Sequence, residues 1–273
     1  MGQTIACINQ KGGVGKTTTV VNLATYLALS GHRVLIVDLD PQGNATSGLG
    51  VDKALVERSI YDVLVDGVPL RDVIVSTSVD RLALAPSSTA LSGAEVELVA
   101  GERRDRRLAR SLAGVVGDYD WILVDGPPSL GLLTVNALTA ADAVLIPIQC
   151  EYYALEGLAQ LTATVNLVRD NLNPDLELNG VLLTMYDART NLSAEVAAEV
   201  RKHLDGSVYQ TVIPRSVRLA EAPSYGQPIA LYRPDSRGAA AYAAFTGEFT
   251  ARAAAIARST PSDPRPTMQA GAA

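Results

Sequence analysis

Residues 9–19 read NQKGGVGKTTT, and this stretch decides the fold. It follows an apolar run, Thr4–Ile8, and precedes an amphipathic one, Lys16–Ser30, so it is a glycine-rich turn from strand to helix. Its second half, Gly15-Lys16-Thr17, matches the end of the phosphate-binding loop G-x-x-x-x-G-K-[ST]. The first glycine of that pattern should stand at position 10, where the chain has Gln10, and an extra lysine, Lys11, comes next. Glycines let a backbone approach phosphate closely, and the amides at a helix start point their positive ends at it. In this reading Gly12, Gly13, Val14, Gly15, Lys16, Thr17 and Thr18 cradle a nucleotide. Lys16 neutralises the β- and γ-phosphates, and the Thr17 hydroxyl ligates Mg²⁺.

Outward from the loop, short apolar runs alternate with longer amphipathic ones. Strands are expected at Thr4–Ile8, Val34–Val37, Leu82–Ala85, Ile122–Val124, Ala143–Ile148, Gly180–Met185 and Val208–Ile213. Helices are expected near Lys16–Ser30, Arg104–Val116, Leu130–Ala141, Leu155–Asn171, Ser193–Leu204 and Gly238–Arg258. Such alternation implies an α/β fold, a doubly wound and mostly parallel sheet flanked by helices. No linker of boundary quality interrupts the chain before residue 258, so residues 1–258 read as one P-loop domain. The Ser, Pro, Gly and Ala of 259–273 have little to bury and are expected to be disordered.

Ligands of open α/β sheets bind at the carboxyl ends of the strands, and a phosphate site with Mg²⁺ needs acids there. VLIVDLDPQGN places Asp38 at the tip of the second strand and Asp40 just beyond it, while WILVDGPPSL places Asp125 at the tip of a later one. Thr17, Asp38 and Asp125 are the expected metal-side groups. Asp40 is placed to orient the attacking water and accept its proton. Lys16, Asp40 and Asp125 form the expected catalytic set, to which the resemblance drawn below adds Lys11, and a nucleotide with Mg²⁺ is the expected ligand, ATP by that same resemblance.

Composition narrows the class. The 273 residues are 48% apolar with a net charge of -6, so any polyanion must meet a local patch. The two cysteines, Cys7 and Cys150, lie far apart in apolar surroundings, unlike a disulfide framework or a zinc or cluster site. No apolar run approaches the ~18 residues that span a bilayer, and no signal segment opens the chain, so a cytoplasmic location is expected.

The segments KGGVGKTT (11–18), DLDPQGNAT (38–46), DGPPSLGLLTVNAL (125–138), PIQCEYYALEGL (147–158), LLTMYDARTNLS (182–193) and VIPRSVRLAEAPSYGQPI (212–229) together closely resemble the ParA/Soj chromosome- and plasmid-partition ATPases of the ParA/MinD superfamily. That family carries a deviant Walker A loop, and the resemblance implies that Lys11 is its signature lysine. Lys11 is then expected to reach across a nucleotide-sandwiched homodimer to the partner's phosphates, as an arginine finger does. The resemblance further implies an adenine pocket near Met185 and Pro214. It also implies non-specific binding of double-stranded DNA by the ATP dimer, with Arg189 and Arg218 as the matching arginines, and a ParB/Spo0J-type partner that stimulates hydrolysis. A nucleoid-associated location and a part in replication-initiation control follow in the same way. One departure is Gly126, where many relatives have Cys or Thr.

From Arg189 to Arg237 seven basic residues stand against five acidic ones, Asp205 among the latter, in a chain that is otherwise negative. A MinD-like membrane ATPase would need a basic amphipathic helix at its C-terminal end, whereas 259–273 offers Arg265 between prolines. An iron-protein reductase would need cysteines paired across a dimer, and neither Cys7 nor Cys150 is so placed. A tyrosine-kinase relative would carry tyrosines in its tail, and 259–273 has none.

Overall fold

The computed structural model describes residues 2–99, 101–152, 154–204 and 206–259. Asp205, Arg265 and the tail expected at 259–273 lie outside the described residues, apart from Ser259. The chain runs β1 (Gln3–Cys7), α1 (Lys16–Leu29), β2 (Val34–Asp38), α2 (Asn44–Gly48), α3 (Ile60–Leu64), β3 (Val75–Ser76), β4 (Leu82–Ala85), α4 (Leu91–Leu98) and α5 (Arg107–Leu112). It continues through β5 (Trp121–Asp125), α6 (Leu132–Ala140), β6 (Ala143–Gln149), α7 (Ala154–Asn171), β7 (Glu177–Tyr186), α8 (Asn191–His203), β8 (Val208–Pro214), α9 (Val217–Glu221), α10 (Ile229–Tyr232) and α11 (Arg237–Ser259).

Among the described residues the strands form one sheet in the order β3-β4-β2-β5-β1-β6-β7-β8. Every pairing is parallel except that of β3 with β4. The doubly wound, mostly parallel sheet expected from the sequence is therefore present. The two-residue edge strand β3 escaped notice because two residues carry no readable period. The helix expected over Arg104–Val116 is confined to α5, and residues 116–118 form a separate 3₁₀ turn.

The period of two along each strand sends alternate side chains to opposite layers. On β2, Val34 and Ile36 join the core under α1 and α11, while Leu35 and Val37 join the core under α3 to α8. Both faces are covered, so strands such as VLIVD and WILVD are apolar up to their closing aspartates rather than alternating. A buried chain of aromatic rings fixes α11 to the sheet. Trp121 lies 5.1 Å from Phe249, Phe249 lies 6.1 Å from Phe245, and Tyr209 meets Phe245 edge-on at 4.8 Å.

Cys7 and Cys150 are buried as free thiols, as their apolar surroundings predict. Among the described residues no helix is long and apolar enough to cross a membrane.

Candidate functional site

The turn between β1 and α1 owes its shape to residues on both sides of the glycines. Asn9 accepts the Lys11 amide at 2.9 Å and donates to the Pro147 carbonyl at 2.8 Å, which ties the loop to β6. Gly13 and Gly15 hold φ values of 77° and 90°, the left-handed region that glycine enters without strain. Thr184 of β7 donates to the Val14 carbonyl at 2.8 Å. Position 10 needs no glycine, since positive φ among described non-glycine residues is confined to Arg81, Arg103 and Met185. Instead the Gln10 amide bonds Gln160 of α7.

Behind the loop the sheet register sets the chemistry. Asp125 pairs with Cys7 on one side and with Asp38 on the other, so the two carboxylates stand side by side at the carboxyl ends of β5 and β2. Both are fully buried. Burial, with Asp40 beside it, pushes Asp38 up to about 6 against the bonds it accepts from Thr46 and the Asp40 amide. Asp125 is raised well above the usual carboxylate range by burial and by Asp38, with the nearby Thr17 hydroxyl and Lys16 ammonium only partly offsetting this. Neither oxygen of Asp125 has a donor in hydrogen-bonding geometry. Lys16 is 6% exposed, and burial lowers its pKa even though Asp125, Cys7 and Asp40 hold it up. Its ammonium donates to the Lys11 carbonyl at 3.2 Å.

This arrangement suits a bound magnesium nucleotide. Two adjacent buried carboxylates, one of them with no donor in hydrogen-bonding geometry, resist ionising together, and a divalent cation between them would stabilise both as anions. Among the described residues no cluster of three or more His, Cys, Asp or Glu forms a complete cage. Mg²⁺ typically takes one or two carboxylates and completes its shell with water and phosphate oxygens.

Over these groups opens a cleft of about 450 Å³ lined by Gly12, Gly13, Gly15, Lys16, Thr17, Thr18, Asp40, Pro128 and Met185 among others. Asp40 is 6% exposed, and its side chain accepts the Gln42 amide at 2.9 Å. Met185 holds a φ of 51°, a strained conformation for a side chain of its size, at the end of β7 where it lines this cleft. Pro214 lines an adjoining cleft of about 460 Å³ together with Gly15, Thr18 and Met185. Val14 and Lys11 stand off the walls. Val14 is buried, and the half-exposed Lys11 ion-pairs with Glu151. The Gly126 amide donates to the Cys7 carbonyl at 3.2 Å, and a Cβ there would sit 2.3 Å from Ile8 Cδ1.

A third cleft, of about 790 Å³, holds Arg189 and Arg218 with Arg215, Arg233 and Arg237 against Asp187 and Asp235. Arg189 grips Asp187 bidentately at 2.7 and 2.9 Å, which holds that carboxyl well below its usual range. Arg218 donates to Glu221 at 2.8 Å. Pro214, Arg215 and Ser216 line both this basic cleft and the one beside Met185. Arg215, Arg233 and Arg237 enter the sequence reading only as part of a charge count, because they come from separate segments. Asn9, Thr46, Ser87 and Thr184 were missed altogether; of these only Asn9, beside the loop and able to make an Asx turn, left a local signal.

A family model described as an AAA domain matches residues 2–178. The sporulation initiation inhibitor protein Soj of Bacillus subtilis is 61% identical over 242 residues, 89% of this chain and 96% of that protein. The chromosome partitioning protein ParA of Caulobacter vibrioides is 50% identical, over 92% of this chain and 94% of that protein. Among solved structures, a cobyrinic acid a,c-diamide synthase from Mycobacterium smegmatis with bound ADP and magnesium superposes with a TM-score of 0.80 at 40% identity, over 90% of this chain and 93% of that one. With Soj and ParA relatives at such identity over nearly their full lengths, the chain belongs to the Soj/ParA family of chromosome-partitioning ATPases.

Proposed function

We propose that the chain is a DNA-segregation ATPase that binds ATP with Mg²⁺, pairs as a nucleotide-sandwiched homodimer, and in that state holds double-stranded DNA without regard to sequence. The observation that carries this reading is the buried set of Lys16, Asp38, Asp40 and Asp125 gathered at the carboxyl ends of β1, β2 and β5. The partition role rests on the relatives at 61% and 50% identity.

In this reading the loop amides from Gly12 to Thr18 and the Lys16 ammonium bind the phosphates. Met185 and Pro214 flank the adenine. Thr17, Asp38 and Asp125 hold Mg²⁺, which when bound neutralises phosphate charge. Asp40 orients the attacking water and takes its proton. Lys11 is paired with Glu151 within its own chain, and on dimerisation it exchanges that partner for the phosphates of the opposite subunit. Coupling of hydrolysis to pairing follows, because each site is incomplete without a cation from the other copy. Arg189 and Arg218 contact DNA phosphates, which every sequence presents alike. A ParB/Spo0J-type partner stimulates hydrolysis and so releases the dimer from the nucleoid, and the same cycle serves replication-initiation control.

The test is light scattering with ATP. Asp40→Ala should bind ATP and accumulate as a dimer that does not hydrolyse, and Lys11→Ala should bind ATP yet remain monomeric. Rapid hydrolysis by the Asp40 variant would remove the mechanism, and a Lys11→Ala dimer as stable as the parent's would remove the trans cation.

A further inference from the structure

We infer that Thr46 is a positioning residue for hydrolysis, with Ser87 as its second link. The inference rests on the roles proposed above for Asp38 and Asp40.

Thr46 and Ser87 are both fully buried, and a buried hydroxyl stays there at a cost unless it is hydrogen-bonded. Each one is bonded to a proposed reaction group. The Thr46 hydroxyl donates to Asp38 Oδ2 at 2.7 Å, and the Thr46 amide donates to the same oxygen at 2.8 Å. That hydroxyl also accepts the Ser87 amide at 3.0 Å. The Ser87 hydroxyl in turn donates to the Asp40 carbonyl at 2.7 Å. A closed circuit thus runs from Asp38 through Thr46 and Ser87 to Asp40, joining the tip of β2, the start of α2 and the loop after β4.

Two consequences follow from the geometry. First, Asp38 Oδ2 is saturated by two short bonds, whereas Oδ1 takes only the Asp40 amide at 3.3 Å. The carboxylate plane is fixed, and Oδ1 is the oxygen left for a cation or its water. Second, the Asp40 backbone is fixed from the loop after β4, a strand that contributes nothing to the glycine-rich loop. Simple space filling does not require this circuit, since valine matches threonine in volume and needs no partner. Outer partners that orient metal-side groups are typically worth about 10- to 100-fold in affinity or rate.

The experiment uses the full chain carrying Thr46→Val, Thr46→Ser, Ser87→Ala or Asp40→Ala. It measures single-turnover hydrolysis of ATP and, separately, binding of a fluorescent non-hydrolysable ATP analogue as Mg²⁺ is titrated. Thr46→Val should slow hydrolysis by about tenfold or more and raise the Mg²⁺ half-saturation of analogue binding. Thr46→Ser should restore both to within about threefold, and Ser87→Ala should slow hydrolysis while leaving the Mg²⁺ half-saturation in place. The inference is overturned if Thr46→Val matches the parent protein in both readouts, or if serine fails to rescue it. If Thr46→Val does not fold, Ser87→Ala decides, and an unchanged rate overturns the inference. Asp40→Ala separates the two levels of the argument. Parental hydrolysis by that variant would sink the underlying mechanism, whereas an inactive Asp40→Ala beside a fully active Thr46→Val would sink the role of Thr46 alone.

Discussion

Asp38 carries the sharpest local conflict in the molecule. It ends a strand that is buried along its whole length, and Asp125 is its register partner on β5. Two adjacent carboxylates cut off from water resist ionisation together. A carboxyl whose folded-state pKa is raised binds more protons in the folded chain than in the unfolded one, so its stabilising effect is present at low pH. That effect is lost as pH rises from the ordinary value of 3.8 through the folded value of about 6. Asp38→Asn removes the penalty and keeps an acceptor for Thr46. Without Mg²⁺ or nucleotide, the variant's stability relative to the parent should rise between pH 4.5 and pH 7.5, by about 2 kcal/mol. Urea unfolding at the two pH values checks this, and an equal difference at both would show that Asp38 ionises freely. Both aspartates were legible as candidates, because each ends an apolar run. That they share a register position was not legible, since strand pairing joins residues far apart in sequence.

At the scale of elements, α11 shows how little a helix's own composition says about its anchor. Its sequence, RGAAAYAAFTGEFTARAAAIARS, is rich in alanine, and the chain's two phenylalanines both fall within it. Phe245 and Phe249 are fully buried against Tyr209 and Trp121, which stand on β8 and β5. Phe249→Ala should therefore cost about 3–5 kcal/mol, the range for large-to-small changes in a core. Urea unfolding read by the emission of Trp121, the chain's single tryptophan, measures this directly. A loss below 1 kcal/mol would mean that α11 holds by other contacts. The long helices α1, α7, α8 and α11 were readable because 13 residues or more give a period of 3.6 room to appear. The five-residue helices α2, α3 and α9 and the strand β3 were not, and α2 carries Thr46. What holds such short elements is tertiary contact, as at Gly50 and Gly226. A Cβ on Gly226 would lie 2.7 Å from the Gly50 Cα, so the turn after α2 abuts the turn after α9 with no room for a side chain.

Across the whole molecule, the cleft beside Met185 that adjoins the glycine-rich loop and the basic cleft share the wall formed by Pro214, Arg215 and Ser216. If the basic cleft holds DNA, Arg218→Glu should leave nucleotide affinity within about twofold while abolishing ATP-dependent retention on DNA, since phosphate contacts supply most of non-specific binding. Retention by the parent should fall steeply as salt rises, in proportion to the phosphates neutralised. Filter binding across a salt series tests both, and undiminished retention by the variant would place the DNA surface elsewhere. A net charge of -6 conceals such a surface, because five arginines gathered from residues 189 to 237 change a local field without changing the sign of the total.

The amino-acid sequence by itself determined the glycine-rich loop between β1 and α1, the two aspartates at strand tips with Asp40 just beyond one of them, and the doubly wound layering. Each depends on neighbours within a few residues or on a period of two or 3.6, and such patterns survive in one dimension. Only the tertiary structure decided that Asp38 and Asp125 stand in register, that Thr46 and Ser87 close a circuit across 41 residues, and that five arginines meet in one cleft. Those arrangements depend on which distant segments the sheet order brings together. Burial then makes their hydrogen bonds and charges matter, because in the absence of water each group must find its partner inside the protein.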